Sequence, residues 1–255
     1  MKNINRLLTA GTVIVILAFW AVATNLSWVD TRLIPTPQAV GIAFLTICRN
    51  GYKNYSLLAH LSASLQRLMV AFVLSVVTAI PLGLASGYSG KFRAVLEPVI
   101  EFYRPLPPLA YYTLLVLWLG IENESKIALL YLACFAPIYV SCVSAVMKIT
   151  PDYINSAATL GAGKGQIFLH VILPSCLPDV FIGMRTALGV GYTTLVAAEM
   201  VAAKSGIGWM VLDASNYLRS DIIFVGIILL GVTGIVLDRI LRLLEKAVIP
   251  WKGKV

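Results

Sequence analysis

Apolar residues along this chain come in long runs, not in the narrow stripe of a helix on a soluble domain. Six runs approach the roughly 20 residues that a helix needs to cross the hydrocarbon of a bilayer, where no water can satisfy the backbone. Leu7 to Thr24 is uncharged. So are Leu68 to Gly90 between Arg67 and Lys91, Pro105 to Ile121 between Arg104 and Glu122, and Ile127 to Met147 between Lys126 and Lys148. Val180 to Ala203 is apolar overall but carries Arg185 and Glu199, and Ile222 to Leu237 closes the set. The pattern predicts an all-α integral membrane protein of about six transmembrane helices in one domain, 1–255. A signal peptide would read like the first run, with Lys2 and Arg6 as its basic end and Ala21-Val22-Ala23 as a cleavage site. The further runs that follow favour a membrane helix.

Six spans put both termini on one side. That side would hold Lys2, Arg6, Lys91, Arg93, Lys148, Lys164, Arg239, Arg242, Lys246, Lys252 and Lys254, with Arg104 and Arg185 near it. The opposite side has fewer cations, mostly in one long loop, so the positive-inside rule predicts cytoplasmic N- and C-termini. Trp118 and Trp251 fall near the expected interfaces, as aromatic anchors do. Two connections are long. Residues 26–66 hold Pro35, Pro37 and an apolar-rich stretch from Val40 to Ile47, which suits one helix lying on the outer face. Residues 148–178 form the other, on the cytoplasmic side.

Composition sharpens this picture. Hydrophobic residues make up 59% and charged residues 13%, and the mean hydropathy is +0.86. A soluble domain carries roughly 25% charged residues. A water-soluble monomer, a disordered chain and a disulfide-built module are thereby excluded, and the lipid bilayer is the expected surrounding. The net charge of +8 could suggest nucleic acid. The basic residues come in ones and twos at the ends of apolar runs, however, with no patch to track a phosphate backbone, so no nucleic-acid partner is expected. Cys48, Cys134, Cys142 and Cys176 lack metal or redox spacing and read as inert free thiols.

The cytoplasmic connection carries the most informative pattern. Pro151-Asp152-Tyr153 suits the first turn of a helix, where a missing amide hydrogen is harmless and an acidic group meets the positive end of the dipole. Asn155 to Leu160 follow, then a break at Gly161-Ala162-Gly163, then a second amphipathic helix over Gln166 to Ile172 that stops at Leu173-Pro174. Two short helices joined by a glycine turn make a small projection suited to a groove on another protein; a plain loop is the alternative.

Residues Asn155 to Pro174 resemble the cytoplasmic "EAA" signature of bacterial ABC importer permeases, E-A-A-x3-G-x9-I-x-L-P. Ala157, Gly161, Leu173 and Pro174 are in register, while Asn155, Ser156 and Val171 replace Glu, Ala and Ile. The resemblance extends along the chain. Glu101 to Ala110, with Pro105, Pro107 and Pro108, is similar to the third span of the nitrate/sulfonate/taurine branch, and Leu195 to Met200 with Gly206-Ile207-Gly208 to its fifth span and outer loop. Ile127 to Met147 and Pro250-Trp251-Lys252-Gly253 are most similar to the taurine permeases of that branch.

This resemblance implies a type I importer permease (MetI-like) architecture in the bacterial inner membrane. It implies a homodimer, two cytoplasmic ATPase subunits that use ATP and Mg, and a periplasmic substrate-binding protein. The cargo implied is taurine or a related alkanesulfonate, moved inward by alternating access, with nitrate or another small anion as the alternative. The docking residues implied are Ser156, Ala157, Ala158, Leu160, Gly161, Ala162, Leu173 and Pro174.

No catalytic, cofactor-binding or metal-binding residues are expected of the chain itself. Gly161-Ala162-Gly163-Lys164-Gly165 fails as a phosphate-binding loop, because Ala158 stands where the first glycine is needed and Gly165 where a hydroxyl is needed. His60 and His170 fall on opposite sides of the membrane, too far apart for a shared metal or a catalytic triad. Charges in the spans are costly and mark function or pairing. Glu101 and Arg104, three apart, read as an interfacial pair or as part of a path, together with Pro107, Arg185 and Glu199. Charges of this kind would also serve a proton-coupled carrier, the other class kept open. Gly83 with Gly87, and Gly183, Ala187 and Gly191, have the spacing that lets helices approach closely, whether for packing alone or as a hinge.

Overall fold

The computed structural model describes residues 2–251, apart from the side chains of residues 2–7, 9, 10 and 13. Of the basic termini, the side chains of Lys2 and Arg6, and Lys252 and Lys254 with the neighbouring Gly253, lie outside the described residues. The described residues are mostly helical: α1 Lys2–Asn25, α2 Pro37–Asn50, α3 Leu57–Tyr88, α4 Gly90–Tyr103, α5 Pro108–Leu119, α6 Asn123–Met147, α7 Pro151–Thr159, α8 Lys164–Ile167, α9 Leu173–Ala202, α10 Ile207–Asn216 and α11 Ser220–Val248. A π-helical turn, Phe168–Ile172, joins α8 to α9. Among the described residues there is no sheet, and one isolated β-bridge pairs Tyr52 with Tyr55.

Among the described residues four helical stretches are long and apolar enough to cross a membrane: α3, α6, the continuous stretch Lys164–Ala202, and α11. The 12-residue α5 is shorter, and of α1 the apolar part with described side chains is Ile14–Asn25. The 12 residues of α5 rise only about 18 Å, against roughly 30 Å of hydrocarbon. Its sequence run began at Pro105, but Pro105 and Pro107 lack amide hydrogens, so α4 ends at Tyr103 and a new helix starts at Pro108. Gly120, at φ +83°, ends it by donating to the Val116 carbonyl at 2.9 Å. In α2, Pro37 takes the first position and Thr36 Oγ1 accepts from the Ala39 amide at 3.2 Å.

Two helices were not anticipated. In α4, Lys91, Arg93, Glu97 and Glu101 break the hydrophobic run that marks a span. In α10, only 10 residues separate two loops. The expected stop at Leu173-Pro174 does not occur. The π-helical turn lets the Leu173 amide reach back to the Phe168 carbonyl, so the ring and missing donor of Pro174 are absorbed and the helix continues.

The chain divides into two units, 1–63 with 204–232 and 64–203 with 233–255. In the first, Val40, Ala43 and Ile47 of α2 pack with Ile207, Met210 and Ala214 of α10 and with Ile222 and Val225 of α11. Trp20 stacks on Phe224 at 5.6 Å and donates its Nε1–H to the Pro35 carbonyl at 3.0 Å. His60 is fully buried against Trp209 at 5.6 Å. Its Nδ1 accepts from the Gly206 amide at 3.1 Å, which places the ring proton on Nε2, 3.3 Å from the Tyr52 carbonyl.

In the second unit α6 is the hub. A methyl group added at Gly83 would stand 2.6 Å from Cys142 Cβ, one at Gly87 2.6 Å from Val146 Cβ, and one at Gly191 2.5 Å from Cys134 Sγ. Small residues of α3 and α9 thus bring both helices against α6, whose Cys134, Ile138 and Cys142 are fully enclosed. The buried thiols behave as small hydrophobes.

Candidate functional site

The turn between α7 and α8 is built by its own sequence. Gly161 has φ +85°, a conformation that carries little cost only for glycine. Its amide donates to the Ala158 carbonyl and that of Ala162 to the Ala157 carbonyl, both at 3.0 Å. These two bonds make a Schellman closure, in which the residue after the glycine packs back on the third residue from the helix end. Ala157 and Ala162 occupy those positions and both pack against the core of the second unit. Gln166 Oε1 then accepts from the Gly163 amide at 2.9 Å and starts α8.

The closure leaves a shallow cup of about 530 Å³ lined by Ala157, Leu160, Gly161, Ala162, Gln166 and Ile167, with His170 and Val171. Leu160 is 89% exposed beside it. Ser156, Ala158 and Gly161 are exposed as well. Six of the eight expected docking residues therefore meet at one small-residue turn. Leu173 and Pro174 do not join them. They sit beyond the π-helical turn, where Leu173 packs against the core at the root of the projection.

The charged candidates divide into a buried group around Glu199, a half-buried group around Arg185 and an exposed remainder. Glu199 is fully buried and Arg67 is 7% exposed. Arg67 Nη1 lies 2.7 Å from Glu199 Oε1, Ser64 Oγ donates to Glu199 at 2.8 Å, and Arg67 Nε donates to Asn123 Oδ1 at 2.7 Å. Beneath the same helices, Lys126 is 2% exposed and donates to the carbonyls of Ile121 and Glu122 at 2.6 and 2.8 Å. Its ammonium is thereby satisfied by two carbonyls of the α5–α6 connection. Arg185 pairs with Asp238 at 3.0 Å, and Asp238 also takes Arg242 at 2.7 Å. Tyr192 hydrogen-bonds Thr233.

Glu101 and Arg104 are both exposed and form no ion pair with each other. Pro107 is the exposed cap of α5. Sequence reasoning missed Ser64, Arg67, Asn123 and Asp238 as partners. The signal available was span polarity: the expected topology puts Arg67 and Glu199 at ends of spans on one side, and Arg185 and Asp238 together on the other.

Outside the spans, Tyr52 donates to Asp213 at 2.7 Å and Lys53 pairs with the same carboxylate at 3.1 Å. Burial, then the bond to Asp213, pushes the Tyr52 hydroxyl well above its usual range, and the same carboxylate raises Lys53. Among the described residues no cluster of metal-ligating groups occurs.

Comparison with known proteins gives a consistent family. Residues 79–250 match the family described as binding-protein-dependent transport system inner membrane component. The taurine transport system permease protein TauC of Escherichia coli is 42% identical over 97% of this chain and 90% of that protein. A Bacillus subtilis permease named for aliphatic sulfonates is 32% identical over 94% of this chain and 85% of that protein. The nitrate import permease protein NrtB of Synechocystis is 31% identical over 80% of this chain and 74% of that protein. This multi-pass membrane chain belongs to the binding-protein-dependent inner-membrane permeases of ABC transporters, in the branch that holds the taurine, sulfonate and nitrate permeases.

Proposed function

We propose that this chain is the translocating subunit of an ATP-driven importer for taurine or a related alkanesulfonate. Two copies form the pathway, two ATPase subunits bind on the cytoplasmic side, and a periplasmic binding protein delivers cargo. ATP and Mg belong to the ATPases; the permease contributes the lever. The observation that carries the docking reading is the exposed cup at Leu160–Ala162, rooted through Ala157, Ala162 and Leu173 in the core of the second unit. A push on such a turn moves a packed helix, not a loose loop. The basic residues of the α11 end and of 148–164 support cytoplasmic termini.

The cargo reading rests on the likeness to the taurine permease. Nitrate is the second reading, supported by the likeness to the nitrate permease. Uptake of labelled taurine at limiting concentration, in a strain lacking the gene and in the same strain with it restored, tests both. Gene-dependent uptake that yields to unlabelled taurine but resists excess nitrate is expected, and it should stop when ATP is depleted. Equal uptake in both strains rejects taurine as cargo. Uptake that persists without the ATPases but collapses with an uncoupler would make the chain a proton-coupled carrier.

A further inference from the structure

The last turns of α11 extend beyond what a bilayer crossing needs. The helix has 29 residues, about 43 Å in length, against roughly 30 Å of hydrocarbon. Its uncharged stretch ends at Leu237, and Asp238, Arg239, Arg242, Glu245 and Lys246 follow within three turns. Residues 238, 242, 245 and 249 recur at the spacing of a single helix face. That face meets Arg185 of α9, and between them lies a crevice of about 430 Å³ lined by Arg185, Arg242, Glu245, Lys246, Ile249 and Pro250. Ile240, Leu243 and Leu244, all exposed, occupy the opposite face.

Cations outnumber carboxylates around the crevice. Asp238 takes Arg185 through its Nε at 3.0 Å and Arg242 through its Nε at 2.7 Å. One carboxylate thereby aligns two guanidinium groups while leaving their terminal nitrogens for a ligand. Lys246 joins none of the ion pairs among the described residues and adds a third positive charge at the wall. Guanidinium forks match two oxygens of an oxyanion, and an ammonium beside them serves as a point charge. Glu245, only 8% exposed, limits how deeply an anion can enter.

We propose that this crevice is a binding site for a single oxyanion group, a sulfonate, sulfate or phosphate, held by Arg185, Arg242 and Lys246. The source of the group can be the cargo, a free anion or the headgroup of an anionic lipid at the same interface. The binding chemistry stands whether or not taurine is the cargo. Asp238 is the positioning residue, because it orients both arginines without meeting the ligand.

The test uses the full chain in phosphatidylcholine nanodiscs, titrated calorimetrically with taurine, sulfate and inorganic phosphate. In parallel, chain purified from phosphatidylglycerol-containing membranes is examined by native mass spectrometry for retained lipid. Arg242→Gln and the exposed Lys246→Gln should each weaken the ligand about tenfold, the loss expected for one charge-assisted hydrogen bond. Arg239→Gln, on the same helix but outside the crevice, should not. Binding of taurine alone assigns the site to cargo, equal binding of sulfate and phosphate assigns it to free anions, and retention of phosphatidylglycerol without soluble binding assigns it to lipid. If none of the four ligands distinguishes the unaltered chain from well-folded Lys246→Gln, or if Arg239→Gln weakens binding equally, the proposal fails.

Discussion

Glu199 has a cost that its partners must offset. A carboxylate with 1% of its side chain exposed cannot stay ionised in an apolar surrounding without a counter-charge, and Arg67 supplies one at 2.7 Å. Ser64 adds a hydroxyl donor, and Asn123 takes up the Arg67 Nε, so the group is bonded on several sides. Removing one member of such a group is worse than removing both. Glu199→Gln leaves the Arg67 guanidinium buried without its charge and should destabilise the protein by about 3–5 kcal/mol. The purified protein should therefore melt well below the unaltered chain. Arg67→Met combined with Glu199→Leu should recover most of that loss, since well-packed apolar residues can replace a buried pair at little cost. A single Glu199→Gln variant that melts with the unaltered chain would mean that the pair contributes nothing structural and that Glu199 is held for transport alone.

At the scale of the element, α6 is shaped for close neighbours, while the α7–α8 turn is open. Gly191 faces Cys134 Sγ, with Leu68 Cδ1 at 3.3 Å from the same added methyl position. Gly191→Ala must push the thiol aside and should cost about 1–3 kcal/mol, in the range of core overpacking. Cys134→Ala in the same chain frees that space, so the double variant should be more stable than the single one in thermal unfolding; simple additivity would show that α9 moves as a whole instead. The Gly161 turn behaves differently, because a side chain there meets nothing within 4 Å. Gly161→Ala should strain only the backbone. Gly161→Trp should leave the chain in the membrane yet abolish co-purification of the ATPase, and normal co-purification would end the docking reading.

These elements also show what the sequence could express. The Ala157, Gly161 and Ala162 spacing is a local pattern, closed by two hydrogen bonds within six residues, so it was readable. The glycine pairs were readable as close-packing sites but not as facing Cys142, Val146 and Cys134, because a period gives a face and not its partner. The π-helical turn was not readable. Proline is a reliable stop only where the ladder cannot shift, and here it shifts by one residue ahead of Pro174. The length of α5 was misread for the reverse reason: three prolines stand close together, and hydropathy does not register a missing amide hydrogen.

For the whole molecule, orientation decides which partners each surface can meet, and the chain carries its own reporter. Cys48 is exposed near the polar end of α2, beside Arg49 and Asn50, while Cys134, Cys142 and Cys176 are buried. With cytoplasmic termini, one spanning α1 delivers α2 to the outer face. A membrane-impermeant maleimide applied to right-side-out vesicles should then label the unaltered chain at a single site, and Cys48→Ser should remove the signal. Inside-out vesicles should stay unlabelled until permeabilised, after which Cys48 reacts and the buried thiols remain silent. The reverse pattern would place α2 in the cytoplasm and turn the Leu160–Ala162 cup outward, away from any ATPase. A cup facing outward could not couple ATP hydrolysis to this chain, so a single labelling experiment bears on topology and mechanism together.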